Sequence, residues 1–255
     1  MQFSLDQFAE VLTARNFQGR PYVIIGGQAV NYWATRYLDH EPELAVWSPF
    51  TSRDIDFCGN RDDVLHLAAY LKRPVVLPHK KLMTAFAGGV VWEIAEACSR
   101  VEFVRRIPGA TAAEIEKLAI EHDFFGQRIR VVDPVSLLAC KINLALTVDQ
   151  TQRRDRDHVG ILLLCVRAFL RDTLHAAEAG DLPARGWLGA VERLLKIAES
   201  RHGKKAGVTL KVDWPNALPV AEITASRHRL IAQFRAKRWA QWLEKIQPPV
   251  PPKRK

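Results

Sequence analysis

The sequence has no long hydrophobic run and no paired cysteines. Its longest apolar stretches, such as 160–166, fall far short of the ~18–20 residues that a membrane-spanning helix needs. The first residues carry acids and lack the basic start of a secretory signal. The four cysteines are scattered without a CxxC pair, which is typical of reduced core cysteines and argues against a zinc knuckle or a disulfide framework. We therefore expect a cytoplasmic protein that does not enter a membrane.

Several catalytic signatures are also missing. None of the eight histidines stands in an HExxH or HxxxH pattern, which argues against a zinc site. The serines lie in no GxSxG elbow, and neither GxxxxGK[ST] nor GxGxxG occurs. A serine hydrolase, a P-loop enzyme and a Rossmann dinucleotide-binding protein therefore have no support in the sequence.

Positive charge is concentrated at the end of the chain. Residues 201–255 contain 13 Lys and Arg against 3 Asp and Glu, within a chain of net charge +9. Residues 226–246 are predicted to form a long basic helix. Its apolar face is Leu230, Ile231, Phe234 and Trp242, and its basic residues are Arg227, Arg229, Arg235, Lys237 and Arg238. This asymmetry favours a phosphate-backbone partner such as RNA, and a packed helix with a solvated basic side is the alternative.

The predicted elements are mixed α/β up to about residue 135 and helical afterwards. The composition, 48% apolar and 25% charged, allows one large domain or two modest ones. Hydrophobic patterning predicts strands at 22–25, 55–57, 74–77, 90–94, 100–104 and 129–132, and helices at 4–17, 28–37, 62–71, 134–146, 155–172 and 187–200. We predict an α/β domain over 1–135, a helical domain over 136–247 and a disordered basic tail over 248–255, with a loop at 38–50 and a linker at 203–207.

Two carboxylates stand on one predicted strand. Asp54 and Asp56, at positions i and i+2, point to the same face, with Cα atoms ~6–7 Å apart. Like charges so close are unfavourable unless a cation lies between them, and Mg²⁺ or Mn²⁺ takes carboxylates together with substrate phosphate oxygens. The pair therefore indicates a metal site for phosphoryl transfer, although a lone Asp-x-Asp is also typical of a solvated strand edge.

Gly26 and Gly27 follow the predicted strand 22–25, where a helix begins. Backbone amides at such a turn are open to a phosphate, and the helix dipole favours its negative charge. A plain tight turn is the alternative interpretation.

Together, IGGQAV and TSRDIDF resemble the signature of the nucleotidyltransferase superfamily, a Gly–Gly turn followed by an acid-x-acid strand. The TSR segment, with Ser52 and Arg53, looks like the lead-in of AbiEii-type toxins of bacterial abortive infection. The resemblance covers roughly residues 20–160. It implies a nucleotidyltransferase fold, a short mixed sheet flanked by helices, and an enzyme that moves a nucleoside monophosphate from an NTP to an acceptor hydroxyl with Mg²⁺ or Mn²⁺.

The resemblance also implies a third carboxylate, in the place where VEFVRRIPG stands. Glu102 takes that place, with Glu93 as the fallback and a salt bridge to Arg105 as the structural alternative. Asp54, Asp56 and Glu102 are then the metal ligands, and Glu102 could accept the proton of the acceptor hydroxyl.

Two later segments complete the resemblance. In VVDPVSLLACKINLAL the family's helix carries a lysine, here Lys141, which either neutralises the triphosphate or snorkels to the surface. QRRDRDH resembles the family's basic–acid cluster, in which Asp155 matches the first Asp and His158 stands in place of the second. The residues implied to bind the nucleotide are Gly26, Gly27, Ser52, Arg53, Lys141 and Asp155.

The toxin resemblance implies RNA, such as tRNA, as acceptor and a cognate antitoxin as partner. The alternative is an RNA-binding protein that keeps the fold without a working metal site, because Glu102 and His158 depart from the family pattern.

Overall fold

The structure is a computed structural model that describes residues 2–79, 81–82, 84–94 and 97–242. The chain divides into two compact units, Met1–Cys140 and Lys141–Lys255. The division thus falls within a continuous helix, Pro134–Thr147, at whose start the sequence places the domain boundary. The predicted tail 248–255 lies outside the described residues.

A seven-stranded mixed sheet is built from the described part of the first unit. The strands are β1 (Val23–Ile25), β2 (Ile55–Cys58), β3 (Val75–Val76), β4 (Phe86–Ile94), β5 (Ala97–Val104), β6 (Ile120–Phe124) and β7 (Gln127–Val131). Their order across the sheet is β3-β4-β5-β2-β1-β7-β6. β2 runs parallel to β5 and antiparallel to β1, while β1 runs parallel to β7. The predicted α/β class with a mixed sheet is confirmed.

Helices cover this sheet and supply its core. They are α1 (Ala9–Thr13), α2 (Gly26–Tyr37), α3 (Arg61–Leu71), α4 (Ala112–Leu118) and the start of α5 (Pro134–Thr147). The indole of Trp33 on α2 is 1% exposed, and its Nε1 donates to the Val132 carbonyl at 2.9 Å, which satisfies the one polar group of a buried ring. Asp133 caps α5 as predicted, because its Oδ1 accepts from the N–H of Val135 at 3.1 Å and of Ser136 at 3.2 Å.

The second unit is helical in its described part. After α5 follow α6 (Asp155–Ala179), α7 (Ala184–Glu199), α8 (Arg201–Thr209), α9 (Val220–Ala225) and α10 (Arg229–Phe234), which continues into a π-helical turn, Arg235–Trp239. Trp187 on α7 donates from Nε1 to the Leu170 carbonyl at 2.9 Å. None of the helices in the described ranges is both long and apolar enough to cross a membrane.

Four local predictions are wrong. The predicted helix 4–17 is a 3-10 helix, Leu5–Phe8, followed by the short α1, which ends at Thr13. The predicted linker 203–207 lies inside α8, where Gly203 is needed because a Cβ there would overlap the carbonyl oxygen of Ile197. The basic helix begins at Arg229, three residues late, and His228 caps it by accepting the N–H of Leu230 at 3.3 Å. The loop 38–50 contains a 3-10 helix, Pro42–Trp47.

Two elements between 104 and 127 were not predicted. The helix α4 begins at a capping box in which Thr111 and Glu114 each accept the backbone N–H of the other. Strand β6 pairs with β7 through a two-residue turn, Phe125 and Gly126, both at positive φ.

Candidate active site

The glycine turn and the acid-x-acid strand meet at one point of the sheet. Ile25, the last residue of β1, is the register partner of Asp56 on β2. The next residue, Gly26, has φ +68° and starts α2. A Cβ at position 26 would overlap Asp56 Oδ2 and lie 2.7 Å from its Cγ, so only glycine allows the backbone to approach this carboxylate so closely.

Two of the three predicted metal ligands lie on neighbouring strands. Asp56 is the register partner of Glu102 in the parallel pair β2–β5. Asp54 lies in the bend just before β2 and is near enough to Glu102 for its charge to act on that carboxyl. All three side chains are partly exposed. The structure thus places Asp56 and Glu102 side by side, with Asp54 at the entry to β2.

Strand register separates Glu102 from the fallback, Glu93. In the antiparallel pair β4–β5, Glu102 faces Gly89, whereas Glu93 lies four residues further along β4, opposite Cys98. The Glu93 carboxylate is 3.8 Å from Arg73 instead. Of the two candidates, Glu102 is therefore the one that lies next to Asp56.

Electrostatics couples Glu102 to its neighbours. Burial raises the pKa of the Glu102 carboxyl, and the negative charge of Asp54 raises it further. Arg100, whose Nη1 is 3.8 Å from Glu102 Oε1, acts in the opposite direction. The sequence did not single out Arg100, although its place two residues before Glu102 on a strand puts both on one face. The predicted alternative partner, Arg105, is instead bound to backbone carbonyls of the segment before and at the start of β4.

The donor set fits a hard cation, although it is not gathered around one point. Carboxylate oxygens are the ligands that Mg²⁺ and Mn²⁺ prefer. Within the described ranges, however, no group of three or more His, Cys, Asp or Glu side chains is arranged to hold a metal ion. The three carboxylates would therefore have to turn toward one another to share an ion, which their mutual repulsion opposes until a cation is present.

Hydrogen bonds hold both predicted site residues that precede Asp54, Ser52 and Arg53. The backbone of Ser52 exchanges two hydrogen bonds with Phe3, at 2.7 and 2.9 Å, and its Oγ donates to Asp54 Oδ1 at 3.4 Å. The carbonyl of Arg53 accepts from Ser99 Oγ at 2.8 Å, while its side chain is exposed. These contacts hold Asp54 in place at the entry to β2.

In the second unit, Lys141 and Asp155 form a buried ion pair. Lys141 Nζ donates to Asp155 Oδ1 at 2.9 Å, and Arg153 Nε donates to Oδ2 at 2.5 Å. Lys141 is 4% and Asp155 1% exposed, so the lysine does not snorkel to the surface. Burial acts to raise the pKa of Asp155, but the charges and hydrogen bonds of Lys141 and Arg153 outweigh it and lower that pKa.

His158 lies beside this pair as a neutral, packed side chain. Its Nδ1 is 4.0 Å from Asp155 Oδ1 and has no hydrogen-bond partner. Burial, followed by the charge of Lys141, lowers the pKa of His158 to about 3. The position that departs from the resembled motif therefore carries no charge at neutral pH.

The basic residues of the last helix divide between internal contacts and solvent. Arg235 Nη1 donates to the carbonyls at the end of α9, including Ile223 at 3.0 Å, and Arg238 Nη1 is 3.2 Å from Glu192 Oε1. The basic side chains that remain exposed without such a contact are Arg227, Arg229 and Lys237. On the opposite face Ile231, Phe234 and Trp242 are buried, as predicted, whereas Leu230 is half-buried.

The chain matches no protein-family model and no curated protein sequence. It is similar in structure to an antigenic nucleotidyltransferase-like protein from Paracoccidioides brasiliensis, with 11% identity and a TM-score of 0.41 over 83% of this chain and 95% of that one. It is also similar to the Megavirus polyadenylate synthase, with 12% identity and a TM-score of 0.39 over 68% of this chain and 36% of that one.

Proposed function

We propose that the chain is a metal-dependent nucleotidyltransferase that moves a nucleoside monophosphate from an NTP to an acceptor hydroxyl. The observation that carries this proposal is the contact between the left-handed Gly26 and the carboxylate of Asp56, with Glu102 in register beside it. The glycine turn and the carboxylates of Asp56 and Glu102 then lie side by side on the sheet.

Asp54, Asp56 and Glu102 would hold Mg²⁺ or Mn²⁺, which when bound neutralises charge on the triphosphate. Of the two predicted phosphate-binding glycines, Gly26 is partly exposed at the start of α2 beside the Asp56 carboxylate, where a metal-bound phosphate would lie, whereas Gly27 is buried. Ser52 orients Asp54 through its hydroxyl. Arg53, exposed beside Asp54, supplies positive charge.

The reaction takes place at one phosphorus atom, the α-phosphorus of the NTP. The acceptor oxygen attacks the α-phosphorus, a new O–P bond forms, and the bond from the α-phosphorus to the oxygen bridging to the β-phosphate breaks, so that pyrophosphate leaves. The proton of the acceptor hydroxyl passes to Glu102, the carboxylate in register beside Asp56, as the general base.

Lys141 and Asp155 are assigned to the nucleotide by the resemblance alone. Their buried ion pair supports a different role, because the Lys141 amino group already donates to a carboxylate. A phosphate would have to compete with Asp155 for it.

We propose RNA, such as tRNA, as the acceptor. Three exposed cations, Arg229 and Lys237 in the basic helix and Arg227 just before it, support this choice because they can neutralise backbone phosphates. The toxin-like role and a cognate antitoxin follow only from the resemblance of the TSRDIDF segment.

A second candidate is an RNA-binding protein without transferase activity. It is favoured by the absence, among the described residues, of a preformed three-residue metal group.

One experiment separates the two. The full chain is incubated with total RNA, Mg²⁺ or Mn²⁺ and each α-³²P-labelled NTP in turn, and the RNA is resolved on a denaturing gel. We expect label in RNA, its loss in Asp56→Asn, and its retention in Glu121→Gln, an exposed acid on β6 of the same sheet. Label that persists in Asp56→Asn would contradict the proposed site, and RNA binding without label from any NTP would favour the second candidate.

A further inference from the structure

A second cleft opens at the opposite end of the central strands. It encloses about 660 Å³ where β1 begins and where β2 and β5 end, at Tyr22, Gly59 and Arg105. Gly26 and Asp56 lie toward the other end of β1 and β2, and none of the three acids of the candidate active site lines the cleft. It is therefore a separate site within the first unit.

Two aromatic rings form its apolar surface. Phe17 is 62% exposed, and its ring packs against His66 with centroids 4.2 Å apart and the ring planes tilted by 38°. Tyr22 is buried, and its ring contacts those of Phe57 and Phe103, at 5.6 and 5.1 Å. An exposed ring held in place by a neighbour is suited to stack on a planar ligand, because little side-chain freedom remains to be lost.

The cleft also carries an anion-binding group. Arg20 Nη2 is 3.4 Å from Glu116 Oε2, and the Arg20 side chain is half exposed. The same Glu116 oxygen accepts from Arg130, buried beneath it, at 2.8 Å. Since Arg130 already neutralises Glu116, Arg20 can turn to a ligand without leaving a buried charge unpaired. Arg105 lines the same cleft.

Carboxylates face the cleft from the start of α3. Asp62 is exposed, and Asp63 accepts the N–H of Asn60 through one oxygen. Burial raises the pKa of Asp63, and the charges of Asp62 and Glu116 add to this effect. These oxygens are acceptors for hydroxyl groups of a ligand. Because arginines and carboxylates line the same cleft, a simple inorganic anion and a simple cation are both disfavoured as its ligand.

We propose that this cleft binds a nucleotide, in addition to the NTP of the candidate active site. The base stacks on Phe17, the ribose hydroxyls donate to Asp62, and the phosphate accepts from Arg20 and Arg105. The nucleotide is either a free mononucleotide or the end of an RNA chain, which share these three groups.

The test is calorimetric titration of the full chain with AMP in the presence of EDTA. EDTA removes divalent ions, so the acids of the candidate active site cannot hold a phosphate through a metal. The heat of AMP binding then comes from the cleft and does not depend on transferase activity. We expect Arg20→Gln to weaken AMP binding by about tenfold or more and to leave adenosine binding unchanged. Phe17→Ala should weaken both ligands.

Matched controls lie in the same unit and do not line the cleft. Arg128→Gln and Phe125→Ala remove an exposed arginine and an exposed phenylalanine, and should change neither titration. Circular dichroism checks that each variant folds. The proposal is overturned if AMP does not bind in EDTA, if Arg20→Gln and Arg128→Gln have equal effects, or if Asp56→Asn removes AMP binding.

A competition experiment distinguishes a free mononucleotide from the end of an RNA chain as the ligand of the cleft. A short RNA oligonucleotide that displaces AMP from the wild-type chain, and binds more weakly to Phe17→Ala than to Phe125→Ala, assigns the cleft to an RNA end. AMP binding without such displacement assigns it to a free mononucleotide.

Discussion

Asp56 fills the space in which residue 26 would carry a side chain. A Cβ at Gly26 would overlap the Asp56 carboxylate, and the left-handed φ of +68° at this position disfavours any other residue. The turn and the acid are therefore coupled, because a side chain at position 26 would displace the Asp56 carboxylate.

Gly26→Ala should abolish activity and destabilise the fold by more than backbone strain alone. The control is Gly126→Ala on the β6–β7 turn, where φ is +76° and no atom lies within 4 Å of a Cβ. That variant is expected to lose only the ~1–2 kcal/mol of a left-handed alanine. Urea denaturation of both variants measures the difference. Equal losses would mean that Asp56 moves aside freely.

Glu102→Gln should raise the melting temperature at pH 7 while removing activity. A raised pKa means that the fold favours the protonated carboxyl, so this contribution to stability is complete below the unfolded pKa and is lost as pH rises through the folded pKa. Uncharged Gln keeps the protonated shape, and the gain should vanish near pH 4. Thermal melts against Glu121→Gln, which is exposed, provide the comparison. A gain that is independent of pH would contradict this explanation.

Lys141→Met should cost about 3–5 kcal/mol of unfolding free energy, because it leaves a buried carboxylate with one partner fewer. The double variant Lys141→Met/Asp155→Leu should lose much less than the sum of the two single changes. As a control, the exposed pair Arg154 and Asp157, 3.4 Å apart, should couple by at most ~1 kcal/mol. A Lys141→Met variant of unchanged stability but weakened NTP binding would instead assign the lysine to phosphate.

His158→Leu should make the protein less sensitive to acid. With a folded pKa of about 3, the unfolded chain takes up a proton at His158 before the folded one does, so stability is lost as pH falls from the unfolded value of 6.5 toward 3. The loss is about 1.4 kcal/mol per pH unit, or ~2 kcal/mol at pH 5. Denaturation at pH 7 and pH 5 should show this difference between wild type and His158→Leu, and none between wild type and His175→Gln, an exposed histidine of α6. Equal acid sensitivity of wild type and His158→Leu would refute it.

RNA affinity should depend on salt through the exposed cations of the basic helix. If Arg227, Arg229 and Lys237 neutralise three phosphates, they contribute roughly −2 to the slope of the logarithm of the binding constant for single-stranded RNA against the logarithm of the salt concentration. Arg229→Gln with Lys237→Gln should flatten the slope by ~1.4, whereas Arg238→Gln, paired with Glu192, should change it less. Filter binding over a salt series measures the slope. A slope near zero in the intact chain would make the helix a packing element.

Local patterns predicted those parts of the fold whose causes are local. The strand before Gly26, the alternation around Asp56 and the cap at Asp133 each depend on neighbours in sequence, and the structure has all three. The choice between Glu102 and Glu93 depends on which residue of β5 lies beside β2, which is a long-range register.

The second unit shows the same limit. The sequence around Lys141 does not predict which residue its amino group contacts, because its partner, Asp155, is fourteen positions away on another helix. The glycines of the segment 203–207 predict a linker. In the structure Gly203 instead lets α8 approach the end of α7, because a Cβ there would overlap backbone atoms of α7.

The position of β2 in the sheet order has a dynamic consequence. It is the fourth of seven strands, bonded to β5 on one side and to β1 on the other, so its amide protons are shielded from both edges. In native-state hydrogen exchange, the amides of 55–58 should exchange only when the whole unit opens, in step with global unfolding. Asp56 therefore lies on the part of the unit that should open most slowly, and we expect the adjustments that admit substrate to come from side chains at the site.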